Sequence, residues 1–349
     1  MELFQVGPVS WQDSQLIYHA LAYLDREALV LLSPDSPYVC LGYHQDPEQE
    51  VDLEFCRSRQ LPVFRREVGG GAVYLDGNQL FYQLIIHKNN PIVSGNKSAF
   101  YRKFLQPVIN VYRNIGIPAE YKPINDIVVN NRKISGNGAG EIGDCLVLVG
   151  NLILDFDYDM MSRVLKVPDE KFRDKIHQSL TGNLTTIRRE LGIERASVWS
   201  EEKLYSLLKS EFERILGRLT PSKLDPSITG KASELSSKMI TPQWLHQINR
   251  KNDHREVKIR DGVKVIHRVR KTTGGLIRAD FGIQDNRVMK VNFSGDFFCY
   301  PRDSIRTLEF RLEEKSLRDI KDVMESFYSE QALEIPGVTL QDWISLLKD

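Results

Sequence analysis

Arg65-Arg66-Glu67-Val68-Gly69-Gly70-Gly71-Ala72-Val73-Tyr74-Leu75-Asp76-Gly77-Asn78 sets three consecutive glycines between two short apolar runs, with two guanidinium groups at the entrance. Without Cβ atoms, three glycines let backbone N–H groups converge on one point and let a ligand come close. Arginines just ahead of such a turn can neutralise a phosphate through paired hydrogen bonds. The same residues also read as a tight turn with two solvated arginines, and taken alone the stretch leaves both readings open.

Working outward, Ala72–Leu75 and Leu80–His87 read as strands joined by Asp76-Gly77, a strong hairpin signal. Upstream lie a strand at Pro62–Arg66, a polar helix near 48–59, and apolar runs Ala28–Leu32 and Tyr38–Gly42 separated by a Ser/Pro/Asp turn. Residues 10–25 place Leu16, Ile17, Ala20, Leu21 and Leu24 at helical spacing behind Ser10, an N-cap residue type. Phe100, Phe104, Leu105, Val108, Ile109 and Tyr112 mark one face of a long helix closed by Gly116. Strands resume at Asp126–Val129, Lys133–Ser135 and Leu146–Asp155, with shorter helices over 158–216. Strands dominate the first half without regular alternation with helices. The expected class is therefore α+β, a mixed and largely antiparallel sheet flanked by helices.

Composition shifts near residue 219 to a Ser-, Thr- and Pro-rich stretch with one helix around Lys231–Met239. The expected organisation is a first unit over 1–245, a linker at 246–254, and a smaller α+β unit over 255–349. The last unit should hold strands at 256–260, 263–270, 275–280 and 288–292, and a helix at 316–331.

Formal net charge is zero, which argues against a general nucleic-acid or membrane-surface binder. Cys40, Cys56, Cys145 and Cys299 are scattered with no C-x-x-C pair, as expected for a reducing compartment and against a zinc site. Met1–Val6 has no basic n-region, and the most apolar stretch, Cys145–Leu154, is too short to span a bilayer. A soluble cytoplasmic protein is the expectation.

A second site signal is Asn125-Asp126-Ile127-Val128-Val129 followed by Arg132-Lys133-Ile134-Ser135-Gly136-Asn137-Gly138-Ala139-Gly140. A lysine on an apolar strand entering a glycine-rich loop suits an anionic ligand, because it sets a point charge beside backbone donors. An edge-strand lysine ahead of a flexible turn is the plainer alternative. No G-x-x-x-x-G-K-[ST] loop occurs, and the glycine spacing does not fit a dinucleotide fingerprint.

In this order, the two signals resemble lipoate–protein ligase A and its relatives, which share a catalytic core with biotin–protein ligases. The family pattern R-R-x-[ST]-G-G-G-A-V-Y-H-D-x-G-N, N-D-I/L-V-V, K-[IV]-[SA]-G-S-A corresponds to Arg65–Asn78, Asn125–Val129 and Lys133–Ala139. Gly42-Tyr43-His44-Gln45 resembles the G-x-x-Q element near the acyl pocket, and Gly295-Asp296-Phe297-Phe298 resembles the C-terminal accessory domain. Departures are Val68 for a hydroxyl residue, Leu75 for histidine, a turn one residue shorter at 76–78, and the insert Gly140–Asp144. Leu148-Val149-Gly150-Asn151 also stands where the family often has His-His-Gly-Thr.

The resemblance implies ATP-dependent activation of lipoate to lipoyl-AMP, with Mg²⁺, and transfer to a lysine of a lipoyl acceptor domain. The acceptors implied are a 2-oxoacid dehydrogenase acyltransferase subunit, the glycine-cleavage H protein, or a dedicated lipoate-binding protein. Lys133 is the expected catalytic residue. Arg66, Gly69, Gly70, Gly71, Asn125 and Asp126 would hold the nucleotide with it, Asp126 also through Mg²⁺. Leu41, Gly42, His44, Gly70, Val73, Leu84 and Gly136 would hold lipoate. Competing readings are an ATP-independent octanoyl- or lipoyl-transferase, for which Cys145 is the nearest thiol, and a non-catalytic lipoate-binding protein. The C-terminal unit is expected to cover the site without supplying reacting groups. Its strip from Lys251 to Arg278, nine Lys/Arg against three Asp/Glu, would steer an acidic acceptor.

Overall fold

The computed structural model describes residues 1–93, 95–248, 264–330 and 333–348. Its main sheet has six strands in the order β10-β11-β6-β2-β1-β12. These are β1 (Glu2–Val9), β2 (Ala28–Pro34), β6 (Gln79–His87), β10 (Asn137–Ile142), β11 (Cys145–Ile153) and β12 (Thr220–Pro221). β1 runs parallel to β2 and β12, whereas the β2–β6, β6–β11 and β11–β10 pairs are antiparallel. The α+β class with a mixed sheet is what the sequence leads one to expect.

Side-chain alternation builds a core on each face of this sheet. Leu29, Leu31, Leu80, Tyr82, Leu84 and Ile86 face α4 (Lys97–Asn114) and α9 (Glu201–Leu216). Val30, Leu32, Phe81 and Ile85 face α1 (Trp11–Tyr23) and α10 (Pro226–Met239). Ser10 caps α1 by accepting the Asp13 N–H at 3.1 Å. Because β12 pairs with β1 and α10 packs on α1, the composition shift near residue 219 marks no break in packing.

Two three-stranded sheets flank this body. One is β4-β3-β5, from Tyr38–Leu41 (β3), Val63–Arg65 (β4) and Val73–Leu75 (β5). The other is β7-β8-β9, from Glu120–Lys122 (β7), Asp126–Val129 (β8) and Arg132–Ser135 (β9). Helices α2 (Pro47–Glu50), α3 (Leu53–Ser58), α5 (Tyr158–Val164), α6 (Glu170–Asn183), α7 (Ile187–Leu191), α8 (Ile193–Ser197) and α11 (Pro242–Leu245) complete this part.

Several expectations are corrected. Asp76-Gly77 closes no hairpin: β5 pairs with β3 and β6 with β2 and β11, so the turn carries the chain between sheets. The helix expected at 48–59 is two helices separated at Val51. The glycine-rich loop expected at 136–140 is mostly strand β10. β1 has no clear sequence signal, since Gly7 and Pro8 mask its pattern and the register shifts between Gln5 and Gly7.

The C-terminal part has its own core. Strands β13 (Lys264–Thr272), β14 (Gly275–Gln284) and β15 (Arg287–Gly295) form an antiparallel sheet. Ile277, Phe281, Val291 and Phe293 pack there against α12 (Ser304–Leu312), α13 (Ile320–Glu330) and α14 (Leu340–Lys348). Of these three helices, α12 and α14 add to the sequence expectation. The strand expected at 256–260, and Lys251 to Arg260 of the basic strip, lie outside the described residues. Within the strip, Arg270 pairs with Asp342 at 2.8 Å and Arg278 pairs with Glu50. Among the described residues no helix is long and apolar enough to cross a membrane.

Candidate active site

A cavity of about 430 Å³ opens where the main sheet, the small β3–β5 sheet, the β8–β9 hairpin and the C-terminal sheet converge. That volume falls within the range of small-molecule sites. Asn125, Asp126, Lys133, Gly136 and Asn137 form a polar wall; Val73, Leu75, Phe81 and Val149 form an apolar one; Lys271, Thr273, Gly274 and Asp296 approach from the C-terminal sheet.

In the glycine turn the two arginines have separate jobs. Arg65 is fully buried and faces away from the cavity, donating to the carbonyls of Gly42, Tyr43 and Leu245 at 3.1, 2.7 and 2.6 Å. Burial lowers its pKa to about 10. The reading of two phosphate-facing arginines fails for Arg65 in both position and partners. Arg66 does line the cavity. Its guanidinium donates to the carbonyls of Cys40, Gly69 and Gly71 at 3.2, 2.8 and 3.0 Å and meets no carboxylate among the described residues. A buried cation with only neutral acceptors leaves charge for an incoming anion to balance.

Gly70 sits at φ +93°, and its N–H donates to the Phe297 carbonyl at 3.3 Å, so this donor is engaged by the C-terminal part. Gly42 packs so tightly behind it that a Cβ there would lie 1.8 Å from the Gly70 oxygen. Gly42 and Gly69 therefore shape the turn from behind, whereas Gly70 and Gly71 line the cavity.

On the opposite wall, Asn130 and Asn131 at positive φ turn β8 into β9. Lys133 on β9 extends to Asp126 on β8 at 2.7 Å, both side chains about one-third exposed. The Thr185 N–H fixes the Lys133 carbonyl at 2.8 Å. Asn125 and Asn137 bond reciprocally side chain to backbone, the Asn137 amide reaching the Asn125 carbonyl at 3.0 Å. Asn151 accepts the Gly136 N–H at 2.7 Å and donates to Gln79 at 2.8 Å, which clamps the turn after Lys133.

Of the expected acyl-pocket residues, Gly70, Val73 and Gly136 line the cavity. Leu41 and Leu84 do not. Leu41 packs with Val39, Val51 and Tyr74, and Leu84 sits on the α4 face of the sheet; in each case a sequence neighbour, Cys40 or Gln83, faces the cavity. His44 is buried away from it and stacks on Phe297 with ring centroids 4.7 Å apart. Burial, seconded by Arg65, lowers the His44 pKa to about 3. Cys145 lies in the β11 core with its thiol pushed up to about 11 by burial; the cysteine that lines the cavity is Cys40. Burial raises the Cys40 pKa too, and Arg66 only partly offsets it.

The C-terminal part is fastened over the glycine turn by the segment after β15. Phe298 packs against Gly69, Gly70 and Gly138. The Tyr300 hydroxyl donates to the Ala139 carbonyl at 2.9 Å, Tyr43 donates to Asp303 at 2.7 Å, and Arg302 meets buried Glu67 at 2.7 Å. Contrary to a pure cover, this part also adds Lys271 to the cavity wall. Lys271 is exposed and has no ion-pair partner among the described residues. Sequence reasoning missed it, although Lys271 directly precedes Thr272-Thr273-Gly274-Gly275, another cation beside paired glycines.

Asp126 and Asp296 each bring a carboxylate to the cavity, that of Asp296 accepting the Leu276 N–H. Among the described residues, the only cluster of metal-ligand types is Asp25, His87 and Asp144, none of which lines it.

Residues 9–213 match the family described as the lipoyl protein ligase A/B catalytic domain. Lipoate-protein ligase A subunit 1 of Thermoplasma acidophilum is 31% identical over 175 residues, which cover 47% of this chain and 65% of that protein. This chain thus spans just under two thirds of that relative's length. Lipoate–protein ligase 1 of Staphylococcus aureus is 26% identical over 274 residues, 78% of this chain and 77% of its own. Octanoyltransferases also match. The crystal structure of P. falciparum LipL1 in complex with lipoate shares the fold across 100% of this chain and 99% of that one, with a TM-score of 0.70 at 17% identity.

Proposed function

This chain belongs to the lipoyl protein ligase A/B catalytic domain family, and from that premise we propose that it is an ATP-dependent lipoate–protein ligase. The observation that carries the reading is Lys133 in a cavity that also has an apolar lining and two further cations, buried Arg66 and exposed Lys271. The names of the relatives, lipoate–protein ligases of two organisms, support it.

A carboxylate activates poorly because its oxygen is a poor leaving group. Attack on the α-phosphorus of ATP makes a mixed anhydride and releases pyrophosphate, but brings two anions together. Lys133 would hold the carboxylate and α-phosphate oxygens at once and stabilise the charge that grows in the transition state. Its partner Asp126 would yield as the anions enter. An ion that takes most of its ligands from phosphates and water needs few protein carboxylates, so Asp126 would give Mg²⁺ an oxygen, the ion supplying charge neutralisation. Arg66 and Lys271 would balance the remaining phosphate charge, and the Asn125–Asn137 clamp would fix the wall. The amine of an acceptor lysine then attacks the acyl carbon, AMP leaves, and the amine loses its proton. Val73, Leu75, Phe81 and Val149 would bury the acyl stem, about 3 kcal/mol for four methylenes.

Incubating the full chain with ATP, lipoate and a panel of lipoyl domains tests this. The domain of an acyltransferase subunit, the H protein and a dedicated lipoate-binding protein are the candidate acceptors. Pyrophosphate release and an ATP-dependent mass increase on one acceptor are expected; modification only when an acyl-carrier thioester is supplied in place of lipoate and ATP would replace the ligase with a transferase.

A further inference from the structure

Gln83 is the polar interruption of an apolar strand. It lies between Tyr82 and Leu84 on β6, pairs in register with Val30 and Val149, and is 1% exposed. Its side chain lines the cavity beside Phe81, Leu75 and Val149.

Its carboxamide orientation is fixed by a neighbour: Nε2 donates to the Ser14 carbonyl at 2.6 Å, and the flipped amide would set two oxygens against each other. That leaves Oε1 buried with no hydrogen-bond partner among the described residues. The nearby hydroxyls are already spent on one another and on Gln15, a second buried glutamine of the wall. Tyr18 donates to Gln15 Oε1 at 3.2 Å, Gln15 Nε2 donates to the Tyr38 oxygen at 2.7 Å, and Ser14 and Tyr38 lie 3.0 Å apart.

A buried carbonyl without a donor costs about 1–3 kcal/mol. A hydrocarbon tail would seal that cost in, whereas a tail with an N–H, O–H or S–H group would remove it. We propose that the α1 end of the cavity selects acyl groups whose far end carries a hydrogen-bond donor, with Gln83 as the specificity-determining residue. Within lipoyl chemistry this means the reduced dithiol over the oxidised ring, and either over octanoate. The proposal rests on the acyl-ligase reading for which end of the ligand faces Lys133, but it is read by binding, which needs no catalysis.

The test is calorimetric titration of the full chain with octanoate, 8-hydroxyoctanoate, dihydrolipoate, oxidised lipoate and biotin. The expected result is that 8-hydroxyoctanoate binds about tenfold tighter than octanoate, and that dihydrolipoate binds tighter than oxidised lipoate. Tightest binding by dihydrolipoate assigns the donor to a thiol, and tightest binding by biotin assigns it to a ureido N–H. Gln83→Met, similar in length and without the carbonyl, should bring the hydroxyl and methyl tails to equal affinity. Octanoate binding as tightly as 8-hydroxyoctanoate to the unaltered chain overturns the proposal, whatever the variant does. If the tail preference holds while no acid supports pyrophosphate release, the ligase reading fails and the tail assignment stands.

Discussion

The glycine turn at 65–74 and the hairpin stretch at 125–140 present the same signal, cations beside glycines, yet the fold uses them differently. In the first, the backbone is packed shut: Gly42 presses on Gly70, Phe297 takes the Gly70 N–H, and Arg66 ties the Gly69 and Gly71 carbonyls. In the second, glycines enter strand β10, and Lys133 stays one-third exposed at the cavity with a single carboxylate for company. The difference teaches that glycine-rich sequence marks close approach of backbone to something, and that the something can be the protein itself. Shape comes mainly from the first region, and a partly exposed charge from the second.

Removing Lys133 should therefore strike rate and spare stability. Lys133→Ala is expected to slow adenylation by about 10²–10³ with an unchanged melting temperature, measured by pyrophosphate release and circular dichroism. Arg66→Met should do the reverse in emphasis, costing about 3 kcal/mol through the loss of charged hydrogen bonds in a buried site. A melting temperature unmoved by Arg66→Met would erase the contrast between the two regions.

Acid should loosen the fastening over the first region. The buried His44 has its pKa lowered to about 3 in the fold against an ordinary value near 6.5, so the unfolded chain binds its proton first as pH falls. Its contribution is whole above about pH 6.5 and declines below that, by about 3 kcal/mol on reaching pH 4. His44→Phe keeps a ring against Phe297 and should flatten that part of the pH–stability curve in denaturant titrations; an unchanged slope would remove His44 from the account.

Lys271→Ala should raise the KM for ATP by about tenfold and leave transfer from supplied lipoyl-AMP unchanged, because its charge meets phosphate and not the acceptor. If KM for ATP does not move, the C-terminal part covers the site without taking part in it. The smallest effect belongs to Cys145→Ser, expected to retain ligation since the thiol sits in the β11 core. An acyl-thioester found on Cys40 or Cys145 by mass spectrometry would move the chemistry to a cysteine.

The two site stretches and the mixed sheet were legible because local pattern determines them: apolar runs, turn residues, and glycines next to cations. What failed depended on partners far away in sequence. Asp76-Gly77 has the composition of a hairpin turn, but β6 finds a longer apolar partner in β2 and β11. Hydrophobicity alone points Leu41 and Leu84 at the cavity, although strand alternation puts Cys40 and Gln83 there. Gly138 gave no sign of strand because its lack of a side chain serves the packing of Val68 and Phe298, which only the folded chain brings to it. Lys271 lies far from both motifs in sequence and reaches the cavity only through the fastening of the C-terminal part at Phe298, Tyr300 and Arg302.

The central claim, that Lys133 lets this cavity join a carboxylate to AMP, is tested most directly by trapping the intermediate. The full chain and its Lys133→Ala variant would be mixed with lipoate and ATP labelled at the α-phosphate, without acceptor, then quenched and analysed by mass spectrometry. The account predicts enzyme-bound lipoyl-AMP in the unaltered chain and almost none in the variant. Equal lipoyl-AMP in both, or none in the unaltered chain, would contradict it.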